Sequence, residues 1–164
     1  MGTTKSGRVL NSHGARGQAS QFSVVHYNEG DYTKASKKYP IRLKAGGHGQ
    51  TGMNQLDKYG IEYHVVKTYP NGVRVGYIPN HKDKRKQTGT NQSWFPKSWT
   101  SKDIKHAGEH VANLKRNRNI HTNDGKPVFG TWKGVRVGVI RTNGIVATIF
   151  PDSNQPYKKN RKKR

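Results

Sequence analysis

An antiparallel α+β domain is predicted from three observations along the chain. Residues 61–78 carry two β-branched and aromatic runs separated by Pro70-Asn71-Gly72, the pattern of a β-hairpin. Residues 100–114 begin with a Thr-x-x-Asp start and continue with Ile104, Ala107, Val111 and Leu114, the three-to-four spacing of an amphipathic helix. Residues 127–150 then divide into three short apolar runs joined by tight-turn sequences, which predicts a further antiparallel sheet. Together they describe antiparallel β-sheets with packed helices.

The elements follow in chain order. Residues 1–45 are rich in Gly, Ser, Thr and Lys, with short apolar touches at Val9-Leu10 and Phe22-Ser23-Val24-Val25. With apolar touches this short, they read as a mostly irregular N-terminal region with one or two short elements, a candidate linker to a larger protein. Gly46-Gly47-His48-Gly49 is a glycine-dense turn, and Met53 and Leu56 behind it suit a short helix. After the hairpin comes a polar loop over 80–92 containing Lys82, Lys84, Arg85 and Lys86. Trp94, Phe95 and Trp99 lead into the capped helix, and Phe95 with at least one tryptophan is expected to fill the core. The last strands are placed at 127–132, 135–141 and 145–150, with Lys133-Gly134 and Thr142-Asn143-Gly144 between them. Residues 46–152 thus form the main domain, and residues 153–164 a basic tail.

Charge is the strongest compositional signal. Lysine and arginine number 31 against nine acids, a formal net charge of +22. Removing the six positive charges of residues 158–164 still leaves +16 of that +22. Such a surface attracts polyanions, nucleic acid first among them. The scarcity of carboxylates disfavours the acidic clusters on which most metal-dependent nucleases rely. The lack of cysteine removes disulfides, zinc–thiolate sites and thiol nucleophiles. No apolar run approaches the ~20 residues of a membrane span, and no signal peptide opens the chain. Its first residues read as a start placed before a domain cut from something longer.

Cleavage of nucleic acid by this composition calls for His, Lys and hydroxyl groups. His48 and His64, 16 residues apart, are the first candidates for an acid–base pair, because an imidazole pKa near ~6.5 serves both roles at neutral pH. A strand histidine such as His64 can equally be a packing residue. His106-Ala107-Gly108-Glu109-His110 spells an inverted zinc-peptidase motif, but only Asp124 and Asp152 follow it as possible carboxylate ligands. A capped amphipathic helix with histidines on its wet side explains the same residues. His13, His26, His81 and His121 lie in Gly- or Lys-rich loop contexts and receive no role. Aromatic and basic residues interleave in 59–77 and 94–99, which suits stacking on unpaired bases or filling a small core.

Gly47-His48-Gly49, the strand Tyr63-His64-Val65, Lys86 ahead of Ser93-Trp94-Phe95-Pro96, and Val146-Ala147-Thr148-Ile149-Phe150 occur in an order that resembles the bacterial EndoU nucleases. The resemblance covers roughly residues 44–152. It implies an RNase A-like fold of the barnase–EndoU–RelE type and a metal-independent endoribonuclease needing no cofactor. By the same resemblance His48 and His64 are the acid–base pair and Lys86 the charge-stabilising cation. Thr148 contacts the scissile phosphate or an adjacent base, with Phe150, Lys84, Arg85 and Ser93 beside the substrate. Lys82, Lys84 and Arg85 share the loop, so the choice of Lys86 rests on its distance from residues 93–96. The terminal aromatic is Phe150 where tyrosine is usual, so it brings no hydroxyl. Many such domains are toxin modules of secreted bacterial proteins. That implies action in a target-cell cytoplasm and an acidic immunity protein as partner. A DNA-cleaving toxin and a non-catalytic nucleic-acid-binding protein are the rival readings.

Overall fold

A computed structural model of the chain describes residues 17–119 and 123–156. Among these, three α-helices and three antiparallel sheets give the α+β architecture expected from the sequence. Helix α1 (Gln21–Asn28) is followed by a small ribbon of β1 (Asp31–Tyr32) and β2 (Leu43–Ala45), then by α2 (Gln50–Lys58). Strands β3 (His64–Thr68), β4 (Arg74–Tyr77) and β5 (Gln92–Trp94) form the second sheet in that order. A single 3₁₀ turn at Lys84–Lys86 lies between β4 and β5. Helix α3 (Ser101–Ala112) then precedes the third sheet, β6 (Val128–Trp132), β7 (Val135–Thr142) and β8 (Ile145–Pro151). No helix among the described residues is long and apolar enough to cross a membrane.

Local chemistry accounts for the boundaries. Thr100 and Asp103 form a reciprocal capping box, which satisfies two of the backbone donors left free at the start of α3. The hairpins β6–β7 and β7–β8 turn through Lys133-Gly134 and Asn143-Gly144, all four at positive φ, the conformation that matches the twist of the flanking strands. The second turn is pinned by Asp124, whose carboxylate accepts from the Asn143 and Gly144 amides at 2.9 and 3.0 Å. Those donors hold its pKa below the usual carboxylate range. Residues 61–63 stay outside β3, so the first strand of the predicted hairpin begins at His64.

The main core is a sandwich of α1 and α3 against the β6–β8 sheet, with Tyr27, Ile104, Val111, Val137, Val139 and Ile149 buried between them. Phe95 joins this core, while Trp94 anchors a second cluster with Leu43, Met53, Leu56, Ile61 and Ile78. Both therefore do the packing expected of them. Residue 46 is not an edge of the packed unit. Ala19 and Tyr27 are core residues, and the β1–β2 ribbon pairs Asp31 with Ala45, so residues 19–45 are folded with the rest. Their composition is polar because only one side of each short element is buried.

Two contacts bind the halves together near the eventual site. The Ser93 hydroxyl donates to the Pro151 carbonyl at 2.8 Å, tying β5 to β8. The Gly47, His48 and Gly49 amides donate in succession to the His26, Tyr27 and Asn28 carbonyls at 3.0, 2.6 and 3.2 Å. Gly46 makes that approach possible. Its φ is +72°, and a Cβ there would lie 2.1 Å from the His26 carbonyl oxygen. Gly89 has a similar φ of +75°, but a Cβ there would meet nothing within 4 Å, so it isolates the conformational cost. Gly89→Ala is expected to cost roughly 1–2 kcal/mol from the left-handed backbone alone, and Gly46→Ala clearly more. Urea unfolding of the two variants checks this; equal midpoints would refute the close-approach argument.

Candidate active site

A cavity of about 460 Å³ opens where the glycine turn, the 78–87 loop and β8 meet. His48 projects from the glycine turn and is buried, at 4% exposure. Its Nδ1 lies 2.8 Å from the Ser93 carbonyl, which can only accept, so Nδ1 carries the proton and Nε2 is left with a lone pair. Burial is the main reason that the pKa of His48 falls to about 3, and the Lys86 ammonium pushes the same way. The ring is therefore neutral and in a defined tautomer.

The second histidine on this cavity is His26, from the last turn of α1. Its Nδ1 is 2.6 Å from Asp31 Oδ2, a carboxylate that accepts from the ring and fixes its orientation. The pairing of α1 carbonyls with the glycine turn is what brings His26 and His48 to one place. Residues 22–25 mark a short apolar element and Asp31 follows, but nothing in that spacing sets His26 apart from a loop histidine.

Lys86 reaches the same cavity from the 3₁₀ turn. Burial lowers its pKa, against the pull of Asp83. The turn is held by buried His81: its Nδ1 accepts from the Asp83 amide at 2.8 Å and its carbonyl accepts from Gln87 at 2.7 Å. The Ile78 amide donates to the Lys86 carbonyl at 2.9 Å. Arg85 also reaches the cavity but pairs with Asp83 at 2.7 Å. Lys84 is exposed and does not line it.

Strand β8 supplies Thr148 and Phe150 to the same space, two residues apart and hence on one face of the strand. The Phe150 ring is 6.0 Å from that of His48. Gly138 lies opposite in the sheet, where a Cβ would fall 2.5 Å from the Phe150 ring, so the missing side chain makes room for the aromatic. Ser93 lines the cavity, but its hydroxyl proton is committed to Pro151 and its carbonyl to His48. Its observed work is to position.

His64 is not brought to this cavity. It stands on the exposed strand β3, its side chain 44% accessible, stacked on Tyr77 at 4.8 Å and bonded through Nε2 to Glu62 at 2.5 Å. Strand β3 lies at the edge of its sheet with all five residues exposed, which is why a histidine on it faces away from the interior. In the H-x-x-E-H segment, Glu109 accepts from the Ala19 amide at 2.9 Å and so ties α3 to the N-terminal segment. No group of three or more metal-ligating side chains occurs among the described residues.

No carboxylate lines the cavity among the described residues; two histidines, a lysine and an arginine do, beside the hydroxyls of Ser93, Thr148 and Ser153 and the Phe150 ring. On an α+β scaffold such a lining suits nuclease chemistry, in which phosphate charge must be met and protons moved. The family model for the bacterial EndoU nuclease matches residues 21–153, and the chain belongs to that family. Neither the curated proteins nor the solved structures contain a significant match.

The two buried neutral histidines make a stability prediction. In the unfolded chain both titrate near ~6.5, whereas folding lowers His48 to about 3 and His81 to about 4. Between those values the unfolded chain binds more protons, so this contribution is fully present above pH ~6.5 and is lost as pH falls toward the folded-state values. Tm should drop on acidification through that window. His81→Asn, whose amide oxygen can accept from the Asp83 amide without titrating, should flatten the drop. An unchanged slope in the variant would count against it.

Proposed function

We propose that this domain is a metal-independent endoribonuclease that cleaves RNA through its own 2′-hydroxyl, with His48 as general base and His26 as general acid. The observation that carries the reading is the convergence of His26, His48 and Lys86 on one cavity. His48 Nε2, unprotonated and directed by the Nδ1–H bond to Ser93, takes the 2′-hydroxyl proton. The 2′-oxygen attacks phosphorus, and Lys86 meets the charge that grows on the non-bridging oxygens. His26, oriented by Asp31, gives its proton to the departing 5′-oxygen. The products are a 2′,3′-cyclic phosphate and a 5′-hydroxyl. A bound phosphodiester also offsets the Lys86 charge that disfavours protonation of His48. Thr148 serves as a hydrogen-bonding partner for the phosphate or an adjacent base, and Phe150 as an apolar wall for that base.

This assignment replaces His64 by His26, since His64 bonds to Glu62 on an edge strand. The domain acts, on the same reading, as the toxic module of a larger secreted bacterial protein in the cytoplasm of a target cell. Its basic cavity mouth suits an acidic immunity protein as the inhibiting partner.

A mixed-sequence RNA incubated with protein in EDTA should be degraded to fragments with cyclic phosphate ends, while DNA, lacking the 2′-hydroxyl, stays intact. Degraded DNA beside intact RNA would overturn the reading. His26→Ala and His48→Ala should each reduce the cleavage rate by roughly 10²–10⁴-fold, and His64→Ala by less than about fivefold. A loss at His64 equal to that at His26 would return His64 to the site.

A further inference from the structure

A second basic hollow, of about 450 Å³, lies outside the catalytic cavity and is lined by Lys34, Tyr39, Arg42 and Lys82 together with Thr33, Ser36 and Pro40. No carboxylate lines it among the described residues. Tyr39 is 60% exposed, among the largest exposures of any apolar or aromatic side chain described. It is displayed by a fixed turn rather than a loose one. The Ser36 amide donates to the Tyr39 carbonyl at 2.9 Å, and the Tyr39 amide donates to the Ser36 hydroxyl at 3.0 Å. Lys38 Nζ stands 5.7 Å from the ring centroid.

Arg42 is held in place as well. Its Nε donates to the Asn80 carbonyl at 2.8 Å and its Nη2 to the His81 carbonyl at 3.2 Å, which fixes the guanidinium plane. Both acceptors belong to the loop that carries Lys86. That loop therefore presents Lys82 to the outer hollow and Lys86 to the catalytic cavity, four residues apart. Four residues span at most ~14 Å, the reach of about four stacked nucleotides at ~3.4 Å each. An aromatic face beside fixed cations is the chemistry that binds unpaired bases and their phosphates.

We propose that this hollow is a distal subsite for single-stranded RNA, with Tyr39 stacking on a base and Arg42, Lys34 and Lys82 on phosphates of the strand whose scissile bond sits at His48. The proposal rests on the nuclease reading for the direction of the strand, but its test is binding. Fluorescence anisotropy would compare a 2′-O-methylated 12-mer, which lacks the attacking hydroxyl, with the corresponding dinucleotide. Tyr39→Ala should weaken 12-mer binding by between ~5- and ~150-fold, and the dinucleotide by less than twofold. Tyr39→Phe should restore the 12-mer affinity. Lys82→Ala should lower the salt slope for the 12-mer by about 0.7. Equal losses on both lengths, no loss on the 12-mer, or no rescue by phenylalanine would overturn the subsite. Absence of cleavage of an unmodified RNA, alongside 12-mer affinity that depends on Tyr39, would instead remove the nuclease reading and leave the subsite standing.

Discussion

Three consecutive backbone hydrogen bonds, from the amides of residues 47–49 to the carbonyls of residues 26–28, hold the candidate site together. A helix end leaves carbonyls without intrahelical partners, and buried carbonyls must find donors. Here the glycine turn provides them, because Gly46 lets one backbone lie against another where any Cβ would collide. The consequence reaches beyond the helix end. It brings His26 and His48 to one cavity, and the bond from the Phe95 amide to the His48 carbonyl at 2.8 Å carries the turn onto the core. A side chain at Gly46 thus threatens the relation between the histidines as well as stability.

The scarcity of acids takes on a structural meaning. Asp31 orients His26, Asp83 pairs with Arg85, Asp124 pins a hairpin, and Glu109 anchors the N-terminal segment. Asp103 caps α3 and Asp152 pairs with Arg136. Each acid works alone at a separate position, and the cavity walls are left to cations and neutral groups. In that setting the electrostatics favour an anionic ligand, and burial keeps the His48 ring neutral.

The loop from residue 78 to residue 87 links the cavity to the outer surface. His81 is buried as a neutral acceptor, Arg42 is clamped to the loop's carbonyls, and Lys82 and Lys86 point to different hollows. Rigidity in this loop is therefore shared by both hollows.

Much was legible in the sequence because it is encoded locally. The capping box at Thr100, the turns at Lys133-Gly134 and Asn143-Gly144, and the apolar spacing of α3 depend on residues within a few positions of one another. Composition likewise determined the basic, acid-poor character of the protein. Motif order brought His48, Lys86, Thr148 and Phe150 to notice, and all four meet in the cavity. Which histidine stands beside His48 was decided only by tertiary structure. His64 has the more suggestive spacing, but it lies on an edge strand whose side chains face solvent. His26 shares the cavity because the end of α1 is bonded to a turn 21 residues later. The glycines mark a backbone that another segment can approach closely, but the bonded groups are ones every residue possesses, so the sequence does not say which segment that is.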